Sequence, residues 1–300
     1  MKSVVFLLTI LLGVANSQAQ TMQDFIKTDE GEKHLQTSIV SYSKGDVTID
    51  LISVVHIGEK NYYSQLNEEF KQYDALLYEL VAPKGTRPQK GQKSNNPIGS
   101  IQDIMKSVLG LESQLANVDY NPKNFVHADL TPKEMSEIMA QKGMSTTTMI
   151  LDTISHAIKK QNRAAYESSK KQQVKSAESI TLEDMMNPQK LRRLMAKQFA
   201  EVKSGDMLSG SVESLIVDAR NKRVMEVLSE QIIAGKKKIG IFYGGAHMVD
   251  FAERLQKMGF EKGNVKWLNA WSLDQETKPN EFEDLIKRFT ENSIKSLQDK

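Results

Sequence analysis

The stretch VTIDLISVVHIGEKNYYSQLNEEFKQYDALLYELV, residues 47–81, decides the predicted fold. It opens with an apolar run of strand length, residues 47–55, and closes with another, residues 75–81. Between them, residues 61–73 carry large apolar side chains at every fourth position, as one face of a helix does. Strand, helix and strand in this order form the repeating element of a parallel sheet. The stretch therefore predicts an α/β fold.

The rest of the chain extends this pattern on both sides. Further strands are predicted at residues 35–43, 124–130, 238–243 and 265–273, and amphipathic helices at residues 248–258 and 280–297. Thr131, Pro132 and Glu134 form a capping box with proline at the first helical position. From there to about residue 235 the composition is helical. We predict a mixed, largely parallel sheet with flanking helices and a long all-helical insertion at about residues 131–235.

Composition limits the chemistry that this chain can perform. The chain has 40 Lys and Arg residues against 38 Asp and Glu residues, and no cysteine. A near-balanced charge argues against nucleic-acid binding, which needs a concentrated basic face. The absence of cysteine excludes thiol nucleophiles, disulfides and zinc fingers. Any reaction must therefore use histidines, carboxylates, hydroxyls and arginines.

The N-terminus has the pattern of a secretory signal peptide. Lys2 precedes an apolar run at residues 4–14, and Ser17 and Ala19 stand at the −3 and −1 positions of a cleavage site. The run is too short for a membrane helix, which needs about 20 residues. We predict a signal peptide at residues 1–19, a single domain at residues 20–300, no membrane span after cleavage, and export to the periplasm or the medium.

Three metal-competent side chains follow three predicted strands. His56, Glu79 and His247 each stand at or near a carboxyl end, which is the edge of a parallel sheet where ligand sites form. Two histidines and one glutamate make a three-ligand set that leaves a position for water on a divalent ion. Each residue alone could be a satisfied core side chain or an ion-pair partner. Their shared position at one edge favours a site.

Further candidates flank this set. Gly244 and Gly245 allow a backbone to approach a ligand closely, although a tight strand–helix turn explains them as well. Arg220 is a fixed cation that could stabilise an oxyanion or belong to a solvated helix face. Asp129 ends the predicted strand at residues 124–130, where it either faces the same edge or caps the next helix.

Four segments together resemble one family. They are His56 with Gly58, YEL (78–80), DARN (218–221) and FYGGAHM (242–248), and they resemble the TraB/PrgY/GumN family over residues 33–275. That family is related to the Tiki metalloproteases and, more distantly, to ChaN-like haem-binding and erythromycin-esterase-like proteins. Of its two G-x-x-H motifs, residues 244–247 fit the second, while the first has Ser53 in place of glycine.

The resemblance implies a site and a cofactor. His56, Glu79 and His247 would be metal-binding or catalytic, with Arg220 and Asn221 completing the site. The metal would be divalent, with manganese or cobalt favoured and zinc possible. The leading hypothesis is an exported metal-dependent hydrolase of peptides or small molecules, in which Arg220 stabilises the oxyanion and Asn221 orients the substrate.

Three alternatives remain open from the sequence. One is a metal-free, esterase-like hydrolase in which His56 is the general base and Glu79 orients it. Another is a non-catalytic envelope protein that sequesters a peptide, haem or a metal. The third is an interaction protein that pairs with itself through residues 131–235. The sequence leaves the oligomeric state undetermined.

Overall fold

The computed structural model describes residues 20–89, 109–141, 187–201 and 211–274. Its strands are β1 (Ile26–Thr28), β2 (His34–Lys44), β3 (Val47–Val54), β4 (Ile57–Gly58), β5 (Ala75–Tyr78), β6 (Glu112–Ser113), β7 (Phe125–His127), β8 (Lys238–Gly244) and β9 (Glu261–Ser272). Its α-helices are α1 (Lys60–Phe70), α2 (Gln114–Asn117), α3 (Pro132–Gln141), α4 (Pro188–Glu201), α5 (Ser211–Ile233) and α6 (Met248–Lys257). Short 3-10 turns occupy Met22–Asp24 and Gly245–His247.

Seven of the strands form one mixed sheet. Four neighbours, in the order β3, β8, β5 and β7, run parallel to one another. The chain enters this parallel part through antiparallel strands, because β2 pairs with β3, β1 and β9. The two remaining strands, β4 and β6, form a separate small ladder. The predicted α/β class, with a mixed and largely parallel sheet and flanking helices, is confirmed.

The predicted strand–helix–strand unit forms from β3, α1 and β5, and a third strand, β8, lies between its two strands. Both β3 and β5 pair in parallel with β8, which therefore lies between them. Helix α1 buries Tyr62, Leu66 and Phe70, the three residues at the predicted helical spacing. The helix and β5 each end three residues earlier than predicted, at Phe70 and Tyr78. The shorter β5 leaves Glu79 at the edge of the sheet rather than inside it.

The helix signals of the sequence are also confirmed where the structure describes them. Thr131 Oγ1 accepts a hydrogen bond from the Glu134 amide at 3.2 Å, and Glu134 Oε2 accepts one from the Thr131 amide at 2.7 Å. Helices α3, α4 and α5 lie within the predicted helical insertion. Residues 142–186 and 202–210 of that insertion lie outside the described residues. So do the predicted signal peptide and the predicted last helix, residues 280–297.

Strand β9 is longer than its apolar pattern suggests. It begins at Glu261 rather than at residue 265, because its partner β2 extends to Lys44 and the pairing continues to Ser43. Residues 261–266 are exposed, so hydrogen bonding to β2 extends the strand where side-chain burial does not. In the part of the chain that the structure describes, no helix combines the length and apolar character needed to cross a membrane.

Gly240 lies in β8 at a position with no room for a side chain. A Cβ atom there would lie 2.6 Å from Leu76 Cδ1 and 3.0 Å from Ile52 Cδ1, and both side chains are fully buried. We expect Gly240→Ala to lower the free energy of unfolding by about 1–3 kcal/mol through overpacking, as measured by urea denaturation.

Gly263 provides the matched control for this substitution. It lies in the exposed part of β9, and the nearest atom to a Cβ there would be the Ser41 carbonyl oxygen at 3.5 Å. Gly263→Ala should change stability by no more than about 0.5 kcal/mol. Equal losses in the two variants would show that packing at Gly240 is not the cause.

Candidate active site

The four parallel strands each lead to a polar residue at the same edge of the sheet. His56 follows β3 by two residues, Glu79 directly follows β5, and His247 follows β8 by three residues. Asp129 adds a fourth, two residues beyond β7. The three residues predicted from the sequence therefore meet, because the carboxyl ends of adjacent parallel strands share one edge. Helix α5 adds Arg220 to this group.

Arg220 joins the other members of the site. Its Nε and Nη2 donate to the two carboxylate oxygens of Asp129 at 3.0 and 2.7 Å. Nη2 also donates to Glu79 Oε1 at 2.7 Å, and Nη1 lies 3.3 Å from His247 Nε2. The Asp129 side chain is fully buried, and those of Glu79 and Arg220 are 11% and 14% exposed. Two carboxylates around one guanidinium leave the buried group with one surplus negative charge.

Glu79 is held as a carboxylate. Its Oε2 accepts a hydrogen bond from the Gly244 amide at 2.7 Å, while Oε1 accepts from Arg220. Burial acts to raise the pKa of this carboxyl, but the adjacent His247 and Arg220 outweigh burial and lower the pKa to about 2. Glu79 is therefore ionised throughout the physiological range, with Arg220 as its principal cation.

His247 is held as a neutral imidazole. Burial lowers its pKa to about 4, although the negative charge of Glu79 acts in the opposite direction. Its Nδ1 lies 2.6 Å from Asn221 Oδ1, and Asn221 Nδ2 donates to Asp250 Oδ2 at 2.7 Å. Asn221 is fully buried. Its side chain therefore positions the His247 ring through Nδ1. From the sequence we expected Asn221 to orient the substrate, and a fully buried side chain could do so only through His247.

His56 is the exposed member of the site. Its Nδ1 lies 3.0 Å from Gln114 Oε1. A Cβ atom on Gly244 would lie 3.4 Å from His56 Nε2 and 3.3 Å from Glu79 Oε2. Gly244 thus borders the space between the imidazole and the carboxylate, and any larger residue would fill it. Of the three groups around this space, only His56 is exposed to solvent.

Gly245 has a different role from Gly244. It is buried, and a Cβ there would collide with the side chain of Ile26 on β1 and approach Ser53 Oγ to 3.2 Å. Its small size is therefore required by packing against β1. Ser53, which stands in place of the first-motif glycine, packs beneath Gly245 rather than beside His56. Its buried hydroxyl has no hydrogen-bond partner among the described residues.

The donor atoms of the predicted metal set are arranged around a guanidinium. Arg220 contacts both Glu79 Oε1 and His247 Nε2, two of the three atoms that a metal would need. A divalent cation at that point would face a fixed positive charge. Consistent with this, the described part of the chain contains no group of three His, Cys, Asp or Glu side chains placed to hold a metal. A metal ion held by His56, Glu79 and His247 would therefore require the Arg220 guanidinium to leave Glu79 Oε1 and His247 Nε2.

Two contributors to the site had weak or absent signals in the sequence. Asp129 follows the carboxyl end of a parallel strand, as His56 and Glu79 do, so the same reasoning applied to β7 predicts it as a site residue. Gln114 belongs to no motif and no periodic segment, and it reaches His56 across 58 positions of the chain. His127, which ends β7, lies 2.6 Å through Nε2 from the Leu80 carbonyl oxygen.

The low pKa of His247 predicts acid sensitivity. The unfolded chain takes up this proton near pH 6.5, while the folded protein resists it until about pH 4. Protonation therefore favours unfolding, and stability falls as the pH decreases through this window. The expected loss is on the order of 3 kcal/mol, measured by urea denaturation at a series of pH values.

A His247→Gln variant should remove most of this slope, because glutamine does not titrate. His34→Gln is the matched control, since His34 is paired with Asp29 away from the buried cluster. An unchanged slope in the His247 variant would show that another group titrates in this range.

Comparison of the chain with protein-family models, with curated proteins and with solved structures returned no match.

Proposed function

We propose that this protein is a hydrolase in which His56 activates a water molecule for attack on a carbonyl carbon. One observation carries the proposal: an exposed imidazole stands beside a buried, ionised carboxylate at the carboxyl edge of four parallel strands. Water activation needs a base that both solvent and substrate can reach, and His56 meets that condition. His247 does not, since it is buried and its Nε2 contacts Arg220.

The proposed reaction uses two proton transfers at one nitrogen. His56 Nε2 takes a proton from water as the water oxygen bonds to the carbonyl carbon. The bond to the leaving group then breaks, and the same proton passes from Nε2 to the leaving oxygen or nitrogen. Glu79 stays ionised, and its negative charge stabilises the imidazolium that exists between the two transfers.

Arg220 is the proposed donor to the oxyanion. Of its five N–H groups, four are engaged by described residues: two by Asp129, one by Glu79 and one by His247. The second hydrogen on Nη1 is left for the negative charge that develops on the carbonyl oxygen. Because its other bonds hold the guanidinium in place, this donor needs no reorganisation during the reaction.

The metal-dependent hydrolase is the second candidate. One observation favours it: both imidazoles direct Nδ1 at an amide oxygen and thereby keep Nε2 for another partner, as ligand histidines do. Manganese or cobalt, with zinc as the third option, would be held by His56, Glu79 and His247. This version requires Arg220 to leave Glu79 and His247, whereas the metal-free version uses the contacts as they stand.

The remaining proposals concern family and location. We assign the chain to the TraB/PrgY/GumN family on the four segments that resemble it, and we propose export on the signal-peptide pattern of residues 1–19. The proposed substrates are peptides or small esters, both of which carry the carbonyl that the reaction needs.

Turnover before and after metal removal tests the proposal. The purified protein would be treated with a chelator and assayed on fluorogenic esters and peptides, alone and with Mn²⁺, Co²⁺ or Zn²⁺. We expect hydrolysis by the chelated protein. Hydrolysis that appears only after metal addition would establish the second candidate. Binding of these substrates without turnover under any condition would contradict a hydrolase and favour a sequestering protein.

A further inference from the structure

We propose that Gln114 is a positioning residue that keeps the ring proton of His56 on Nδ1. The lone pair of Nε2 is then permanently available on the side of Gly244 and Glu79. The catalytic meaning of this inference rests on the proposed function, whereas the position of the proton can be measured independently of any activity.

Gln114 holds His56 at two points. Its side-chain Oε1 lies 3.0 Å from His56 Nδ1, and its backbone amide donates to the His56 carbonyl oxygen at 2.9 Å. The neighbouring backbone fixes this relation, because Ile57 pairs with Ser113 in the small β4–β6 ladder. Gln114 is 4% exposed. A buried amide between two anchored segments has little freedom to turn away from the ring.

Tyr120 is the second partner of the Gln114 amide. An amide can offer a ring nitrogen either its oxygen or its NH₂ group, and this choice sets the tautomer of the imidazole. Gln114 Nε2 donates to the Tyr120 hydroxyl at 2.9 Å, and that ring is fully buried. In the structure the amide oxygen is the end that faces His56, and an amide oxygen can only accept, so Nδ1 carries the proton and Nε2 is the acceptor.

The tautomer of His247, the second histidine of the site, is also set by a side-chain amide, and here the other partner of the amide is a carboxylate. Asn221 Nδ2 donates to the Asp250 carboxylate, which can only accept, so Asn221 Oδ1 must face His247 Nδ1. His247 then carries its proton on Nδ1, and its Nε2 accepts from Arg220. Both imidazoles are thus held through Nδ1 by a buried amide oxygen. The Tyr120–Gln114–His56 chain has the same arrangement as the Asp250–Asn221–His247 chain, but the histidine at its end is exposed.

Nitrogen-15 spectroscopy of the imidazoles tests the inference. The full chain would be labelled at histidine and studied at about pH 8, where an unperturbed histidine is neutral. The His56 signals are those lost in His56→Ala. We expect a protonated Nδ1 and an unprotonated Nε2 in the natural protein. We expect Gln114→Leu to move the proton wholly or partly to Nε2. Gln114→Glu, whose carboxylate can only accept, should restore Nδ1–H.

A kinetic readout accompanies the spectra. Removing a group that orients a functional histidine lowers activity on the order of tenfold to a hundredfold. We expect Gln114→Leu to lower kcat by that factor with KM unchanged, and Gln114→Glu to recover most of it. If Gln114 had only a structural role, the recovery of kcat in Gln114→Glu would not accompany the return of the proton to Nδ1.

Two results would overturn the inference. One is a proton on Nε2 in the natural protein, and the other is an unchanged tautomer in Gln114→Leu. If Gln114→Leu fails to fold, Tyr120→Phe provides the second test, because it removes the hydrogen-bond partner of the Gln114 NH₂ group, so that the amide can turn this group towards His56, and should give a mixture of tautomers. A protein with the expected tautomer but no hydrolysis would lose the proposed function and keep the role of Gln114. Hydrolysis by a protein whose His56 carries its proton on Nε2 would support the proposed function and contradict the role of Gln114.

Discussion

Replacing Arg220 with methionine is expected to lower the free energy of unfolding by about 3–5 kcal/mol, the cost of leaving a buried charge without its partner. Asp129 loses both of its charged hydrogen bonds and Glu79 loses one. Asp129 is fully buried, so water cannot replace the lost donors at that carboxylate. Urea denaturation near neutral pH measures the loss.

Arg223→Met is the matched control for this substitution. Arg223 lies in the same helix, α5, and pairs with Glu134 and Glu226, but its side chain is 27% exposed and those of its partners are 29% and 48% exposed. Such pairs contribute about 0–1 kcal/mol. Acid provides a second check, because protonating the orphaned carboxylates should narrow the difference between the natural protein and Arg220→Met. Equal losses in the two variants would contradict the central position of Arg220.

Replacing His56 with alanine is expected to lower kcat for hydrolysis by about 10²–10⁴-fold, the usual contribution of general acid–base catalysis. Stability should change little, because the side chain is exposed and its hydrogen-bond partner among the described residues is Gln114 alone. Initial rates on the best ester or peptide substrate give the first quantity, and urea denaturation gives the second. This combination separates a catalytic loss from a folding defect.

His34→Ala is the control for the loss of an accessible histidine. His34 is one-third exposed and is paired with Asp29 at 2.8 Å, outside the Arg220 cluster. It should retain the activity of the natural protein. Full activity in His56→Ala would remove His56 from the reaction and leave no exposed base among the residues of this site.

Local pattern in the sequence was sufficient for the elements and for part of the site. Two apolar runs of strand length and a helical spacing between them within residues 47–81 predicted β3, α1 and β5. Strands buried on both faces are continuously apolar, whereas burial of one helix face leaves a periodic pattern. The capping box at Thr131 predicted the start of α3 for a similarly local reason. His56, Glu79 and His247 could be selected because each follows a strand, and the parallel order of those strands then brings the three residues to one edge.

Other features depend on contacts between distant parts of the chain. Nothing in the local pattern indicates that β8 lies between β3 and β5, since all three strands are apolar and pair equally well with one another. The sequence also leaves the roles of Arg220 and Asn221 undetermined, because a charged helix segment has the same residue pattern whether it faces solvent or a buried carboxylate. The structure buries Arg220 against Asp129, 91 positions away, and Asn221 beneath His247.

The class of fold, the edge at which the site lies and the three residues at strand ends could be predicted from the sequence, because they follow from periodicity and from the direction of the strands. The hydrogen-bond partner of each of these side chains depends on tertiary packing. A guanidinium, a carboxylate and an amide can each satisfy several partners, and packing selects among them. That selection places Arg220 against both Glu79 and His247, and Gln114 on Nδ1 of His56.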